Sequence, residues 1–328
     1  MDYALREETA RLTWAWDRHP QQVLDNYLAV DVEDPRINVQ SILTRSLVTR
    51  VLFPGEFEDL LDAELRFGLC MTWIMPHFRE GNNRWDMLDR LESGETSAFP
   101  EFLIAAYESV QNSDCPIPDY VTEALFRPAL DEKSLISDAV LETFALVWSR
   151  TLESRRAASV SIIEPACGSA NDYRYLAHYG LARFLRYSGF DISRKNIANA
   201  RARFRDTNFF VGNVFQIPAK DGAFEYLFVH DLFEHLSPKG LETAMRECLR
   251  VTRREAWLSF FNLGSIPDHC FRTHGDYHWN TLSLDQIVQF LLQYATRVEV
   301  IDLPELIKQK TGYGQYYNPQ AKTLVVKI

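Results

Sequence analysis

The segment 230–235 concentrates side chains that can carry proton-transfer chemistry. An imidazole titrates close to neutral pH, so a histidine there can take a proton from a substrate hydroxyl. We therefore predict His235, with Glu234 and His230 beside it, as the catalytic residues. Two other interpretations stay open. These side chains only pack and hydrogen-bond, or Asp231, Glu234 and His235 bind a divalent metal, which we do not favour.

A second group of residues has the chemistry to hold a nucleoside. Asp191 follows a predicted strand, and a carboxylate at a strand end can accept hydrogen bonds from both hydroxyls of a ribose. Ile192 comes next and can pack against the face of a purine. Asn213 and Val214 follow the next predicted strand, where an amide can contact the edge of adenine.

Residues 164–172 read Glu-Pro-Ala-Cys-Gly-Ser-Ala-Asn-Asp, directly after the first predicted strand. Small side chains at alternate positions favour a tight turn into a helix and let the backbone approach a ligand closely. Glu164, Ala166 and Gly168 therefore stand where the backbone can approach a ligand, and His230 ends the fourth predicted strand at the same edge of the sheet. An alanine is tolerated in this turn unless its position needs a positive φ.

Histidine and aromatic side chains also cluster in the segment 264–281. Their spacing matches no standard closed zinc site. We predict that His274, Tyr277 and His278 line a substrate pocket, while zinc binding and surface roles are the alternatives. Tyr313 lies in a later tyrosine-rich stretch, which we expect to form a hairpin turn. Its tyrosines either cover an aromatic substrate or only pack within the hairpin.

The elements that must position these side chains change character near residue 157. Beyond it, short β-branched segments alternate with helix-length segments, which predicts a parallel sheet covered by helices on both faces. The predicted strands cover about 159–163, 184–190, 208–211, 224–230, 255–261, 297–302 and 322–328, and the predicted helices 171–181, 193–204, 239–251 and 284–294. Because no full helix separates the last two strands, we expect an antiparallel hairpin at the sheet edge.

Before this point the apolar residues recur at three- and four-residue spacings, which predicts helices. They cover 3–17, about 21–30, 36–51, about 56–75, 99–111, 119–127 and 135–152. We therefore predict an all-helical domain over 1–134, a substrate cap or dimerisation domain, and a second domain over 135–328. The aromatic residues of the first domain, Trp14 and Trp16 among them, are expected to pack between helices, with a cap over the substrate as the alternative.

The two parts also differ in charge. Residues 1–130 hold 23 acidic residues and 11 arginines, a net charge of −12, whereas the remainder carries +2. An acidic half argues against non-specific binding of nucleic acid. No apolar run is long enough to span a membrane, and the first residues lack the features of a signal peptide. The five cysteines form no CxxC, so we expect a cytoplasmic protein with reduced thiols. We also predict no membrane contact and possible homodimers through the helical domain.

With these motifs in order, residues 135–328 resemble the class I S-adenosylmethionine-dependent methyltransferases, and most closely the small-molecule branch that includes enzymes of quinone biosynthesis. The resemblance is carried by the turn 164–172, by 217–226 and 230–237, and by the late segment 277–281. It implies an α/β fold, in which a Rossmann-like seven-stranded methyltransferase sheet with an antiparallel C-terminal edge hairpin follows an all-α N-terminal domain.

The resemblance also implies roles for the cofactor residues. In that family the first turn holds the methionine part of the cofactor, the acid after the second strand holds the ribose, and the end of the third strand holds adenine. The resemblance thus implies cofactor-binding roles for Glu164, Ala166, Gly168, Asp191, Asn213 and Val214, and we add His230 to them. This chain departs from the family pattern at three places. Ala166 and Ala170 stand where glycines are usual, Asn213 stands where an aspartate is common, and His230 replaces a smaller polar residue.

We therefore predict an enzyme that transfers a methyl group from S-adenosylmethionine to a small-molecule acceptor, with oxygen favoured over nitrogen or carbon, and releases S-adenosylhomocysteine. The spacing of Asp231, Glu234 and His235 is similar to the metal-binding Glu-x-x-Glu-His of quinone O-methyltransferases and small-RNA end methyltransferases. A metal-dependent RNA-end methyltransferase is thus one alternative. An inactive, cofactor-binding partner subunit is the other.

Overall fold

The computed structural model describes residues 2–17, 39–58, 61–62, 64–65, 145, 147–314, 316 and 318–328. The helices predicted at 21–30, 99–111 and 119–127 lie outside these residues, as do most of the one at 56–75 and the first half of the one at 135–152. The domain boundary at residue 135 therefore stays a prediction. Among the described helices, none is long and apolar enough to cross a membrane.

Seven α-helices and eleven strands lie entirely within the described residues. The helices are α1 (Tyr3–Asp17), α2 (Val39–Leu52), α3 (Asn171–His178), α4 (Arg194–Arg203), α5 (Pro238–Val251), α6 (Leu284–Leu291) and α7 (Leu303–Thr311). The strands are β1 (Val160–Pro165), β2 (Leu185–Asp191), β3 (Asn208–Val211), β4 (Phe224–His230), β5 (Thr252–Phe260), β6 (Leu263–Gly264), β7 (Thr273–His274), β8 (Tyr277–His278), β9 (Leu282–Ser283), β10 (Arg297–Asp302) and β11 (Lys322–Lys327).

Seven of these strands form one sheet in the order β10-β11-β5-β4-β1-β2-β3. Five neighbouring strands run parallel to one another, namely β5, β4, β1, β2 and β3. Strand β11 runs antiparallel to both of its neighbours, β5 and β10. This arrangement confirms the predicted Rossmann-like seven-stranded sheet with its antiparallel C-terminal edge. From β1 the chain proceeds outward in one direction through β2 and β3 and in the other through β4 and β5, and such a reversal opens a ligand crevice at the carboxyl ends of the strands.

The connection between β10 and β11 differs from the expected hairpin turn. It contains the nine-residue helix α7, although no full helix was predicted there. Asp302 caps this helix by accepting a backbone hydrogen bond at 3.1 Å, and Gly312 ends it with a φ of 78°. Only Leu303 and Ile307 of the helix are buried, so its apolar pattern is too short to indicate a helix. Tyr313 therefore follows a helix instead of forming the hairpin turn.

Both N-terminal helices pack onto the sheet and its helices. Leu5 and Leu12 of α1 are buried in one core cluster with Leu241 of α5. Leu47 of α2 is buried in a second cluster with Tyr175 of α3. The two helices therefore cover different parts of the sheet, and each contributes to a core that the C-terminal part also builds.

The two tryptophans of α1 have different surroundings. Trp14 is 49% exposed, and its place between helices stays a prediction. Trp16 is half-buried, and its ring centre lies 6.3 Å from that of His235 and 6.1 Å from that of Tyr277. Residues two positions apart on a helix, such as Trp14 and Trp16, are separated by about 200° around its axis. Only one of these two side chains can therefore face the sheet.

Candidate active site

The turn after β1 adopts a left-handed backbone conformation at alternate residues. The φ angle is 56° at Ala166, 53° at Gly168 and 69° at Ala170. Both alanines thus occupy positions that need a positive φ, where alanine is not readily tolerated. Each of them costs roughly 1–2 kcal/mol of backbone strain. A side chain at Gly168 would meet no atom within 4 Å, so open space lies beside the turn.

Asp191 holds two turns of the predicted cofactor site together. One carboxylate oxygen accepts a hydrogen bond from the Gly168 amide at 3.0 Å, and the other accepts one from the Ser193 amide at 2.8 Å. Burial raises the pKa of the Asp191 carboxyl group, and these amides oppose that rise. The carboxylate therefore lies at the carboxyl end of β2, beside the open space at the first turn.

Two further acceptors surround the first turn. Glu164 is buried at the end of β1, where it accepts a hydrogen bond from the Tyr187 hydroxyl. Burial and the negative charge of Asp172 raise the pKa of the Glu164 carboxyl group well above its ordinary value. Asn171, the first residue of α3, has a buried Oδ1 to which no described residue donates a hydrogen bond. The turn thus presents acceptor oxygens as well as open space.

Asn213 follows β3 and contacts the N-terminal helix. Its Nδ2 donates to Thr9 Oγ1 of α1 at 2.9 Å, and its Oδ1 accepts from the Phe215 amide at 2.9 Å. Val214 is buried beside it, and Ile192 is half-buried against the same core cluster. The structure therefore brings the residues predicted for the adenosine to one edge of the sheet, next to α1.

His230 lies between α2 and α3 at the end of β4. Its Nδ1 is 2.9 Å from Asp172 Oδ2, and its Nε2 is 2.7 Å from Thr44 Oγ1. Burial alone would lower the pKa of His230, but the Asp172 carboxylate raises it above the ordinary value. Asp172 also accepts a hydrogen bond from Ser41. Both ring nitrogens of His230 thus face protein partners, which favours a positioning role over proton transfer.

Glu234 is fully buried and braces the chain after β5. Its Oε1 accepts hydrogen bonds from the Phe261 amide at 2.8 Å and the Asn262 amide at 3.1 Å, and its backbone carbonyl accepts one from Asn280 at 2.9 Å. Burial raises the pKa of the Glu234 carboxyl group to about 8. Its contacts therefore hold the loop that carries the substrate candidates.

His235 is surrounded by aromatic rings. Its Nδ1 lies 3.0 Å from the His278 carbonyl oxygen, and burial lowers the pKa of its imidazole. The carbonyl can only accept, so Nδ1 carries the proton and Nε2 holds a lone pair. The rings of Phe261, Tyr277 and Trp279 lie 5.4–5.5 Å from that of His235, and Trp16 lies on a further side. A neutral imidazole with a fixed tautomer inside an aromatic enclosure can accept a proton.

The predicted substrate residues divide into two groups. Tyr277 and His278 on β8 contact His235, and the His274 ring on β7 lies 5.3 Å from that of Tyr277. Tyr313 packs instead against the core cluster that contains α2, and burial raises the pKa of its hydroxyl. The structure therefore gathers three of the four candidates around His235 and places Tyr313 elsewhere.

The candidate metal ligands do not form a metal-binding group. Within the described residues, no three His, Cys, Asp or Glu side chains are arranged to hold a metal ion. Glu234 Oε1 is held by two backbone amides, and His235 Nδ1 faces a carbonyl. His269 Nδ1 accepts a hydrogen bond from the Ser283 amide at 2.8 Å, so this histidine supports the start of α6.

Side chains of α1 and α2 reach the site without having been predicted from the sequence. Thr9 contacts Asn213, Thr44 contacts His230, and Ser41 contacts Asp172. They occupy ordinary positions on helices, more than 130 residues before their partners. No motif marks them, because only the folded chain brings the helices to the sheet edge.

Comparison with protein families identifies one domain. Residues 163–260 match a family described as methyltransferase domain. This range begins inside β1 and ends with β5, so it includes the first turn, Asp191, Asn213 and the segment 230–235. It does not include α1 or α2. No curated protein matches the chain.

Solved methyltransferases share parts of the fold at low identity. A SAM-dependent methyltransferase of Methanosarcina mazei is 13% identical, with 54% of this chain and 96% of its own covered and a TM-score of 0.41. The 1,6-didemethyltoxoflavin-N1-methyltransferase of Burkholderia thailandensis, with 1,6-didemethyltoxoflavin and S-adenosylhomocysteine bound, is 11% identical, with 57% and 77% covered and a TM-score of 0.40. The geranyl diphosphate C-methyltransferase of Streptomyces coelicolor is 12% identical, with 62% and 87% covered and a TM-score of 0.41.

Proposed function

We propose that the chain, whose residues 163–260 match a methyltransferase domain, uses S-adenosylmethionine to methylate an oxygen atom of a small-molecule acceptor. The observation that carries this proposal is the environment of the His235 imidazole. Its Nδ1 is tied to the His278 carbonyl, and burial keeps its imidazole neutral at physiological pH. An unprotonated nitrogen at the carboxyl end of β4 suits an acceptor hydroxyl that must lose its proton.

The residues of the cofactor half support binding of S-adenosylmethionine. The open space beside Gly168 gives room for the methionine part, and the buried Oδ1 of Asn171 would accept a hydrogen bond from its ammonium group. Asp191 would accept from the ribose hydroxyls, since each carboxylate oxygen can accept more than one hydrogen bond. Asn213 and Val214 would hold adenine, with Ile192 against its face.

The residues of the acceptor half would align and deprotonate the acceptor. When bound, S-adenosylmethionine supplies a methyl group on a sulfonium, and alignment of the nucleophile provides much of the rate of such a displacement. The rings of Tyr277, Phe261, Trp279 and Trp16 lie around His235 and would limit the access of water to it. His235 Nε2 would take the hydroxyl proton as the methyl group is transferred. His230 and Glu234 then position the segment rather than react.

Calorimetric titration with S-adenosylhomocysteine tests the cofactor half. Wild type is expected to bind at micromolar concentration, and Asp191→Ala is expected to weaken binding at least tenfold, about 1.4 kcal/mol. Asp206→Ala, at an exposed carboxylate on the chain between α4 and β3, is the matched control and should bind like wild type. If wild type does not bind, the methyltransferase proposal is wrong.

A panel of hydroxyl, amine and carbon acceptors, incubated with S-adenosylmethionine, then tests the acceptor half. Product formation from a hydroxyl compound, retained in the presence of a chelator, supports base-assisted O-methylation. Methylation of amines or carbon atoms alone would contradict the choice of oxygen. Pairing of two chains through residues 1–134 and a cytoplasmic location remain predictions from the sequence.

A further inference from the structure

Helix α1 contacts the carboxyl edge of the sheet along its whole length. Asp17 Oδ1 accepts hydrogen bonds from Ser193 Oγ at 3.0 Å and from the Arg194 amide at 3.1 Å, just after β2. Thr9 contacts Asn213 after β3. Glu8 accepts a hydrogen bond from the Ser237 amide at 2.7 Å, where α5 begins. The helix thus lies beside each residue proposed for the adenosine, although it is outside the matched family range.

The contacts with Phe215 and Thr9 together fix which end of the Asn213 amide points where. The Thr9 hydroxyl donates its proton to the Leu5 carbonyl at 2.6 Å, so toward Asn213 it can only accept. The Phe215 amide, on the other side, can only donate. The Asn213 NH₂ group must therefore face Thr9, and its oxygen must face Phe215. The orientation follows from the chemistry of both neighbours, as an amide assignment requires.

We propose that Thr9 is a positioning residue of the cofactor site, which holds Asn213 with its carbonyl oxygen directed to the exocyclic amino group of adenine. This inference rests on the proposed function. An amide oxygen accepts two hydrogen bonds, so the oxygen that holds the Phe215 amide also accepts from the adenine amino group. A reversed amide would present NH₂ to that amino group, and two donors repel.

The same contact explains why asparagine stands where an aspartate is common in the family that the sequence resembles. An aspartate has only acceptor oxygens when ionised. It could hydrogen-bond to Thr9 only if the Thr9 hydroxyl gave up its bond to the Leu5 carbonyl. Asparagine keeps one acceptor for adenine and adds the donor that α1 needs. Adenine recognition in this chain would therefore depend on a helix that lies outside the matched range 163–260.

Two ligands that differ at one position of the base test the proposal. S-inosylhomocysteine has a carbonyl oxygen where S-adenosylhomocysteine has the amino group, so it cannot donate to Asn213. We expect wild type to bind S-adenosylhomocysteine at least tenfold more tightly than the inosine analogue in calorimetric titrations. Thr9→Val, which removes the hydroxyl and keeps the shape, should reduce this preference to threefold or less. Thr9→Ser should retain it.

Thr13→Val is the matched control on the same helix. The Thr13 hydroxyl donates to the Thr9 carbonyl at 2.8 Å, one turn along the helix. Its removal should leave the preference at the wild-type ratio. Asn213→Ala should abolish the preference, and Thr9→Val in the Asn213→Ala background should cause no further loss, because the two residues act through one hydrogen bond.

Each other result overturns a specific claim. If Thr9→Val weakens both ligands equally, or matches Thr13→Val, Thr9 only supports the helix and the proposal is wrong. If wild type binds both ligands equally well, Asn213 does not read the amino group, while the cofactor site stands. If wild type binds neither, the proposed function itself fails. Thr9→Ala removes the same hydroxyl and replaces Thr9→Val in these titrations if the valine variant does not fold.

Discussion

His230 and His235 lie at the same end of the sheet, five residues apart and largely buried, yet their pKa values shift in opposite directions. His230 is held by the Asp172 carboxylate and the Thr44 hydroxyl, which stabilise its charged form. His235 is largely buried among aromatic rings, and this burial lowers its pKa, although the hydrogen bond to the His278 carbonyl opposes that shift. The comparison shows that a histidine's role here depends on the groups around it, and hardly on its place in the motif.

The largest expected effect separates the two histidines by activity. Replacing His235 with Gln keeps a donor for the His278 carbonyl but removes the base, so kcat should fall by about 10²–10⁴-fold. Binding of S-adenosylhomocysteine should remain within about twofold of wild type, since His235 lies in the acceptor half. Steady-state kinetics with the accepted hydroxyl compound and calorimetry measure both quantities.

His178→Gln, at an exposed histidine of α3, is the control for this substitution. Its kcat should equal that of wild type. In wild type, kcat/KM should also fall as the pH drops below the pKa of His235, because only the neutral imidazole accepts a proton. An unchanged kcat in His235→Gln would show that His235 does not act as the base.

The next effect concerns the ion pair that distinguishes His230. Asp172→Asn leaves His230 buried without its carboxylate, which should lower the free energy of unfolding by about 3 kcal/mol. It should also lower the pKa of His230, which would then resemble His235. Urea unfolding measures the first change, and titration of the imidazole signals by NMR measures the second.

Asp221→Asn is the matched control for a carboxylate with a cationic partner. Asp221 is largely exposed and lies 2.8 Å from Arg250, so its loss should cost less than about 1 kcal/mol. Equal losses at the two sites would show that the Asp172 carboxylate does not stabilise the folded protein more than an exposed carboxylate does.

Glu234 lies between the two histidines in the sequence and should show a smaller effect of opposite sign. Its pKa of about 8 means that folding takes up a proton at neutral pH. Glu234→Gln keeps the acceptor for the Phe261 and Asn262 amides without that uptake, so the protein should become more stable by on the order of 1–3 kcal/mol at pH 7. The gain should grow from about pH 4.5 to pH 8 and then level off.

Urea unfolding of wild type and Glu234→Gln across this pH range measures the gain. Glu242→Gln, at an exposed glutamate of α5, should change stability little at any pH. A loss of stability in Glu234→Gln at pH 7 would show that the carboxylate is ionised in the folded protein and that its charge is compensated.

The smallest effect is the pH dependence that His230 gives to stability. Its folded pKa is raised, so its contribution is fully present below the pKa of the unfolded chain, about 6.5, and is lost as the pH rises through the folded value. Asp172 on α3, Asp231 after β4 and Arg45 on α2 set this value together. His230→Gln should flatten the difference in unfolding free energy between pH 6 and pH 8, and an unchanged slope would assign it to another group.

The sequence predicted most of the sheet, and it placed the candidate cofactor residues at the strand ends, where their role stays a prediction. Strands were found because β-branched runs alternate with helical patterns, and the strand ends carry Asp191 and Asn213 close to small residues. Helix α7 was missed because only two of its residues are buried. For the same reason Tyr313 was predicted in a hairpin turn, whereas it lies just after helix α7.

Motifs determine what lies within one strand end and its turn, so the sequence alone determined the α/β fold, the turn after β1 and the position of the carboxylate after β2. The tertiary structure decided in which direction the pKa of each histidine shifts, which way the Asn213 amide points, and that α1 and α2 contact the candidate site. The physical reason is distance along the chain. Thr9 and Thr44 lie about 200 residues before the side chains they contact, and a single sequence carries no signal for hydrogen bonds that only packing of the helices creates.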